Sequence, residues 1–395
     1  MTYPRTSVRQ MINNAGGRLR AAGVDSPRVD AELLMAHALT VKGAPGAEPV
    51  TRSSLFFRRQ DHVDSDTAAF FEKCISRREQ REPLQHIMGT VRFAGIDLLV
   101  GPGAFIPRPE TELIVEWAGK QLRRALYQRS EKSGSSKPVS TDYTIVDLCT
   151  GPGTLALGVA HAAGNALLSL HRDLREQKAV NPHVGGVVTG GLDNSAGTGA
   201  NTGVAADELR LPRIRIIGVD TSDVALDYAR RNVAVFMENW RAEAVDAGLS
   251  EDDADQLSVS LCAGDVTDPT IVDLIRDTCG GPNPGPTHLP KVDMVVSNPP
   301  YVPENTAMSP EVAADPHDAV FAGADGMSVI VPMMAVVEDL SSPGTVVAVE
   351  HDEANGPVTS QCLNDRGFTE VEIHKDLAGR DRFVTGIRAA HTRKA

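Results

Sequence analysis

The chain has 395 residues, and 41% of them are hydrophobic. A chain of this length exceeds what one compact core usually holds, so we expect two domains. No stretch of about 18 uncharged apolar residues occurs and the first residues lack an apolar leader segment, which disfavours membrane insertion and export. The formal net charge of −13 disfavours a nucleic-acid partner, because affinity for a phosphate backbone comes mainly from Lys and Arg. One local cluster, Arg77, Arg78 and Arg81, forms either a basic groove or, as we favour, a solvated helix face.

The five cysteines are scattered along the chain, at Cys74, Cys149, Cys262, Cys279 and Cys362. No two of them have C-x-x-C spacing, which favours reduced thiols over a disulfide framework or a zinc site. We therefore expect a cytoplasmic enzyme or binding protein that holds no metal. We also expect a monomer, because no self-complementary apolar surface is evident in the sequence.

Residues 1–85 are predicted to form a small helical domain. From Val8 to about Glu82, apolar residues recur at spacings of three and four, as on the buried face of a helix. Ser26-Pro27 predicts a helix start, with the serine as N-cap and the proline at the first helical position. The Gly, Pro and Ala residues between Gly43 and Val50 indicate a surface loop between helices.

Residues 86–104 are predicted to be a β-hairpin that links two domains. The apolar period changes here, because Thr90–Phe93 and Ile96–Val100 are short strand-like runs on either side of Ala94-Gly95. An amphipathic helix is expected next, from Glu110 to Ala125, and then a polar connector from Glu131 to Pro138.

Residues 105–395 are predicted to form an α/β domain. From Tyr143 onward, short β-branched runs alternate with helical segments, and this alternation is typical of an open, doubly wound sheet. The last two runs, around Gly379, read as a closing hairpin. The predicted strands are Thr144–Leu148, Ile214–Val219, Leu257–Cys262, Val292–Val296, Thr345–Glu350, Glu370–His374 and Arg382–Ile387.

One segment does not fit this alternation. Residues 170–211 are dominated by Gly, Ala, Ser, Thr and Asn and lack the apolar content to order themselves. We interpret them as a mobile insertion between the first helix and the second strand of the sheet.

The first chemical motif is a glycine turn after the first predicted strand, Val146-Asp147-Leu148-Cys149-Thr150-Gly151-Pro152-Gly153. Such turns let the backbone approach a ligand closely at the start of a helix. An acidic residue at the strand end and Pro152, which has no N–H, suit a cationic group better than a pyrophosphate. Asp147 is therefore a candidate to bind the amino group of a methionine moiety.

Acidic residues follow the next two strands. Asp220 ends the second strand, where a carboxylate can accept hydrogen bonds from ribose hydroxyls. Asp265 follows the third strand and can accept from an adenine amino group. Each alone can equally be a turn aspartate that binds local backbone groups. Their order at three successive strand ends favours a nucleotide-like cofactor.

The motif with the most specific chemistry is Asn298-Pro299-Pro300-Tyr301, after the fourth strand. The two prolines hold the backbone extended and rigid. An amide NH2 has two donors in one plane, and the Asn298 side-chain oxygen and the Pro299 carbonyl can accept one each. Tyr301, with Phe105 from the other side of the cleft, can pack on a planar acceptor group.

Together these motifs resemble those of the bacterial release-factor glutamine methyltransferases, the HemK family. The resemblance covers nearly the whole chain except residues 170–211. It rests on Phe105-Ile106-Pro107-Arg108-Pro109-Glu110-Thr111-Glu112, on Asp147 to Gly153 and on Asn298-Pro299-Pro300-Tyr301-Val302-Pro303. Further agreement comes from Arg77-Arg78 to His86-Ile87-Met88-Gly89 and from Ala322 to Gly326 ahead of Val349-Glu350-His351.

The resemblance implies a Rossmann-like class I methyltransferase sheet of seven strands, the last antiparallel, and S-adenosyl-L-methionine as cofactor. It implies that the N-terminal domain docks a peptide-chain release factor and that the methylated glutamine belongs to a Gly-Gly-Gln motif. Asn298 and Pro299 would hold that glutamine, with Pro300, Tyr301 and Phe105 also at the substrate. The implied cofactor contacts are Asp147, Thr150, Gly151, Gly153, Asp220, Asp265, Asn298 and Arg108. Two residues depart from the pattern: many methyltransferases have glycine at the position of Cys149, and the position of Pro152 often donates a backbone N–H.

The expected reaction is direct methyl transfer to the glutamine amide nitrogen. Alternatives are a glutamine methyltransferase of a ribosomal protein and an adenine-N6 nucleic-acid methyltransferase, since the same tetrad suits a flipped base. A further alternative is an inactive scaffold that binds release factors or ribosomes, which the intact Asn298 and Tyr301 disfavour.

Overall fold

The computed structural model describes residues 6–132, 142–180, 211–280 and 291–390. Within these ranges, no helix is long and apolar enough to cross a membrane. The fold begins with four helices: α1 (Val8–Ala21), α2 (Pro27–Val41), α3 (Ser65–Glu79) and α4 (Leu84–Met88). They enclose one apolar cluster, which includes Leu19, Leu34, Phe71 and Ile75.

The starts of α1 and α2 differ in how their first N–H groups are satisfied. Ser7 precedes α1 with an extended backbone, and it forms a capping box with Gln10. Helix α2 begins at Pro27 as predicted, but the predicted side-chain cap is wrong, because Ser26 makes no such hydrogen bond. Its ψ angle of 57° differs from the extended value of 155° at Ser7.

A β-hairpin follows the helices, as predicted. Strands β1 (Thr90–Phe93) and β2 (Ile96–Leu99) pair antiparallel, with Phe93 opposite Ile96. Ala94 and Gly95 both have positive φ, as a two-residue type I′ turn requires. A 3-10 turn at Pro109–Thr111 then leads into α5 (Glu112–Lys132). This helix is longer than predicted, and the rest of the predicted polar connector, residues 133–138, lies outside the described residues.

Seven strands form the large sheet. They are β3 (Tyr143–Leu148), β4 (Ile214–Asp220), β5 (Leu257–Ala263), β6 (Val292–Ser297), β7 (Ser341–Glu350), β8 (Phe368–Lys375) and β9 (Asp381–Arg388). Their order in the sheet is β5-β4-β3-β6-β7-β9-β8. Their pairing is parallel except at β9, which runs antiparallel to both of its neighbours. The predicted seven-stranded sheet with an antiparallel last strand is therefore confirmed.

Helices cover both faces of this sheet, and alternate residues of each strand point to opposite faces. The remaining helices are α6 (Thr154–Val180), α7 (Asp223–Asp246), α8 (Glu251–Ala254), α9 (Ile271–Gly280), α10 (His317–Val320), α11 (Ile330–Leu340) and α12 (Gly356–Asp365). One apolar cluster contains Ile145 together with residues of α5, α6 and α7, and the other contains Val146 together with residues of α9, α11 and α12.

Helix α6 corrects the predicted start of the insertion. The insertion was expected to begin at Leu170, but the helix continues to Val180. Leu170 is buried in the core and Leu174 packs against it, so apolar contacts hold this part of the helix. Leu211, at the other end, is buried as well. Residues 181–210 lie outside the described residues.

Candidate active site

The chemical motifs of the sequence meet at one edge of the sheet. Leu148 pairs with Val219 on one side and with Ser297 on the other, so β3, β4 and β6 end at the same level. Asp220 is opposite Ala263, at the end of β5. Because parallel strands bring their carboxyl ends together, the segments after them line one crevice, where open α/β sheets bind ligands.

Asp147 is fully buried at the end of β3, where it caps helix α6. Its Oδ2 accepts hydrogen bonds from the Thr150 hydroxyl at 2.6 Å and from the Ala156 N–H at 2.8 Å. Its Oδ1 has no hydrogen-bond partner among the described residues. Burial raises the pKa of this carboxyl to about 7, against the two hydrogen bonds. Asp147 is thus a buried carboxylate with one oxygen still able to accept.

The glycine turn itself has three residues in the left-handed region of backbone space. They are Cys149 at φ 63°, Gly151 at φ 57° and Gly153 at φ 89°. A Cβ atom added to Gly151 would meet nothing within 4 Å, whereas one added to Gly153 would lie 3.1 Å from Cδ1 of Leu157. Gly151 therefore faces open space, while Gly153 permits the close packing of its own helix.

Asp220 is joined directly to this turn. Its Oδ2 accepts from the Gly151 N–H at 2.8 Å and its Oδ1 accepts from the Ser222 N–H at 2.9 Å. Burial raises its pKa, against these backbone hydrogen bonds. Each carboxylate oxygen keeps a lone pair, so the side chain can still accept from ligand hydroxyls.

Asp265 lies further along the same edge and is exposed. Its Oδ1 accepts from both the N–H and the hydroxyl of Thr267, at 2.8 and 2.7 Å. This is the local turn that the sequence left open as an alternative. The structure thus links Asp147, Thr150, Gly151 and Asp220 by direct hydrogen bonds, and it leaves Asp265 outside that network.

The Asn-Pro-Pro-Tyr segment begins at the end of β6. Nδ2 of Asn298 donates to the hydroxyl of Thr111 at 3.1 Å, and Pro299 is buried. The Tyr301 hydroxyl donates to Oε1 of Glu350 at 3.0 Å, and burial raises the pKa of Tyr301 well above its usual value. Pro300 is half-buried between them. The segment is therefore held at both ends by side chains of other elements.

Phe105 and Arg108 precede α5, and Arg108 contacts the loop that follows Tyr301. The Arg108 guanidinium forms an ion pair with the buried carboxylate of Asp315 and lies 4.9 Å from the centroid of the Phe105 ring. The N–H of Ile106 donates to the same carboxylate at 3.0 Å. In this structure Arg108 thus binds another part of the chain, and its contact with a cofactor stays a prediction.

Sequence reasoning missed three residues that support this site: Thr111, Asp315 and Glu350. Glu350, at the end of β7, is 1% exposed, and burial raises its pKa to about 7. Thr111 and Glu350 belong to segments that resemble motifs of the family, and this resemblance was the only sequence signal that could have pointed to them. Asn298 and Thr111 are 187 positions apart, so no local pattern indicates their contact.

The arginine cluster at the end of α3 is neither a basic groove nor a solvated helix face, so that prediction is wrong. Arg77 pairs with Glu82. Arg78 is only 5% exposed and binds Asp30 and Glu311, both at 2.8 Å. Arg81 holds the same Glu311 with two hydrogen bonds of 2.6 Å. The pairs with Glu311 exist because the loop after Tyr301 brings this residue against the end of α3, whereas Asp30 belongs to α2.

Comparison with known proteins assigns the chain to a family. Residues 10–89 match the family model described as the PrmC N-terminal domain. The release factor glutamine methyltransferase of Mycolicibacterium smegmatis is 36% identical over 98% of this chain and 100% of its own length. That of Mycobacterium tuberculosis is 36% identical over 98% of this chain and 93% of its own.

Among solved structures, the ribosomal protein L11 methylase of Lactobacillus delbrueckii subsp. bulgaricus aligns with 73% of this chain and 82% of its own. Its identity of 14% and TM-score of 0.32 are too low to superpose individual residues. The full-length relatives confirm the resemblance drawn from the motifs, and the chain belongs to the release factor glutamine methyltransferase family.

Proposed function

We propose that the protein transfers the methyl group of S-adenosyl-L-methionine to the side-chain amide nitrogen (N5) of a glutamine. The acceptor is the glutamine of the Gly-Gly-Gln motif in a peptide-chain release factor, and the reaction modulates translation termination in the cytoplasm. The observation that carries this proposal is the fixed orientation of Asn298, whose Nδ2 is bound to Thr111 while Oδ1 stays available to accept. The names of the full-length relatives support the same acceptor.

The acceptor site follows from the donors of a primary amide. A glutamine NH2 has two coplanar donors, and Oδ1 of Asn298 and the carbonyl of Pro299 each accept one. The neighbouring Pro300 holds this backbone rigid. The lone pair of an amide nitrogen is delocalised, so alignment must provide most of the rate. Such alignment can contribute about 7–11 kcal/mol.

The residues at the strand ends fit the cofactor. Gly151 faces open space, and Oδ1 of the buried Asp147 lacks a partner among the described residues. A cationic amino group beside Asp147 would favour its charged form. Asp220 would accept from ribose hydroxyls, and Asp265 would accept from the adenine amino group. The further cofactor contacts that family resemblance suggests are Thr150, Gly153, Asn298 and Arg108.

When bound, S-adenosyl-L-methionine supplies an electrophilic methyl group. Asn298 and Pro299 hold the acceptor nitrogen in line with it, and Tyr301 and Phe105 pack against the planar amide. The nitrogen becomes more acidic once it is methylated, so its proton can leave without a strong general base. Direct transfer needs neither a metal nor a covalent intermediate on the enzyme.

We assign the parts of the chain accordingly. Residues 1–85 dock the release factor, residues 86–104 form the hairpin linker, and residues 105–395 carry the methyltransferase chemistry. A monomer is sufficient for this reaction, and no direct contact with nucleic acid or membrane is required. Of the segment 170–211, we assign only residues 181–210 as the insertion.

The variant Asn298→Ala tests the proposal. It removes one acceptor of the amide but leaves Asp147 and Asp220 in place, so we expect kcat to fall about 100-fold or more. The affinity for S-adenosyl-L-methionine, measured by calorimetry, should change less than about threefold. Asn364→Ala, which removes an exposed side chain on α12, is the control and should behave as wild type. Unchanged turnover of Asn298→Ala would contradict the proposal.

A further inference from the structure

Behind Asn298 lies a chain of buried polar side chains. Thr111, in the 3-10 turn before α5, is fully buried, and its oxygen accepts the hydrogen bond from Nδ2 of Asn298. The Glu350 carboxyl is buried as well and accepts from the Tyr301 hydroxyl at 3.0 Å. Thr111 lies close enough to Glu350 to lower the pKa of this carboxyl, against the effect of its burial. Oε2 of Glu350 is buried and has no hydrogen-bond partner within the described part of the chain, so it can accept the proton of the Thr111 hydroxyl.

The direction of these hydrogen bonds is set by chemistry. An ionised carboxylate can only accept, and a threonine hydroxyl has one proton and two lone pairs. If Thr111 gives its proton to Glu350, only its lone pairs remain for Asn298. The Asn298 group that faces Thr111 must then be the NH2, and the oxygen must face the opposite way.

We infer that Thr111 and Glu350 are positioning residues that fix the side-chain amide of Asn298 with Oδ1 toward the acceptor. This rests on the proposed function and deepens it, because the orientation selects the acceptor group. A primary amide presents N–H donors to Oδ1, whereas a glutamate carboxylate presents only acceptors. If the Asn298 amide were reversed, its NH2 would meet the NH2 of the acceptor, and two donors would face each other.

Thr111→Val tests the inference, because valine has nearly the same shape and lacks the hydroxyl. At pH 8 we expect kcat for the release factor to fall about 10-fold or more, as for a lost hydrogen bond. The affinity for S-adenosyl-L-methionine should stay within about threefold, and Thr111→Ser should restore kcat to within about threefold. Thr345→Val is the matched control, since Thr345 is equally buried and hydrogen-bonded at the opposite end of the sheet.

Glu350→Gln tests the direction of the chain with almost no change in shape. The glutamine can turn its NH2 toward Thr111, which then can give its proton to Oδ1 of Asn298. We expect kcat to fall about 10-fold, with the affinity for the cofactor kept. Wild-type kcat in both Thr111→Val and Glu350→Gln would overturn the inference.

A measurement that does not depend on turnover separates the inference from the proposed function. In the full-length chain labelled with ¹⁵N-asparagine, the Asn298 side-chain resonance is assigned by its loss in Asn298→Ala. We expect one of its two amide protons to exchange slowly in wild type, and fast in Thr111→Val. Equal, fast exchange in both proteins would overturn the inference even if methyl transfer occurs. If the wild-type protein shows the slowly exchanging Asn298 proton but transfers no methyl group, the proposed function is wrong and the inference on Asn298 stands.

Discussion

Cys149 and Gly151 both hold left-handed backbone in the turn after β3, but only one of them is a glycine. Such a conformation costs a non-glycine residue about 1–2 kcal/mol. Cys149 keeps it because its side chain packs against the core on one face of the sheet. The sequence predicted the turn and the place of its glycines. It did not predict the strained cysteine, because backbone dihedral angles are set here by contacts from β4 and β6.

Gly151→Ala tests whether this turn approaches a ligand. A methyl group at Gly151 would stand in open space, so it should cost about 1 kcal/mol of stability through backbone strain alone. The added methyl group should also block the cofactor, and we expect the affinity of the variant for S-adenosyl-L-methionine to fall more than about 10-fold. Gly379→Ala is the matched control, because Gly379 also has positive φ and open space. Equal affinity of the two variants would contradict a cofactor role for Gly151.

Asp147 connects two elements, since it is the penultimate residue of β3 and caps the first turn of α6. Its pKa of about 7 in the folded protein lies above the usual value in an unfolded chain, about 3.9. The folded state therefore binds this proton more tightly, and the stability that the proton provides is lost as pH rises from about 4 to 7. The uncharged Asp147→Asn cannot show this loss.

We therefore expect Asp147→Asn to gain stability relative to wild type when pH rises from 5 to 8, by about 1–3 kcal/mol. Urea denaturation at both pH values measures the difference. Glu350 titrates in both proteins, so its contribution to the pH dependence cancels in the comparison. Any constant cost of the buried asparagine cancels as well. A difference that does not change with pH would show that Asp147 keeps an ordinary pKa.

The elements of the sheet were predictable because buried β-branched runs leave a clear pattern. Six of the seven strands match their predicted ranges to within about two residues. Strand β7 begins at Ser341 rather than Thr345, because Pro343 and Gly344 conceal an irregular pairing with β6. The pairing partners of Thr111 and Glu350 could not be predicted, since they depend on which distant segments pack together.

At the scale of the whole molecule, Glu311 links the α/β part of the chain to the helical N-terminal part. This carboxylate lies on the loop after the Asn-Pro-Pro-Tyr segment and binds Arg78 and Arg81 of the helical N-terminal part. Its two arginine partners lower its pKa to about 2. Its contribution to stability is therefore present above about pH 4 and is lost as pH falls toward 2. Asp315 ties the same loop to Arg108, so the loop is held at two points.

A double-mutant cycle on Arg81→Ala and Glu311→Ala measures this link. The pair is half-buried and has two hydrogen bonds, so we expect its coupling energy in urea denaturation at pH 7 to exceed that of an exposed pair. The exposed pair Glu116–Lys120 is the control, and its coupling should be about 0.3–0.5 kcal/mol. Equal coupling of the two pairs would mean that Glu311 is an ordinary surface contact.

The central claim is methyl transfer to the release-factor glutamine, and one measurement tests it most directly. Purified protein is incubated with methyl-labelled S-adenosyl-L-methionine and a bacterial release factor, beside a release factor whose Gly-Gly-Gln glutamine is replaced by alanine. We expect label on the first acceptor and none on the second. Label on neither, while the cofactor is bound, or equal label on both would contradict the account.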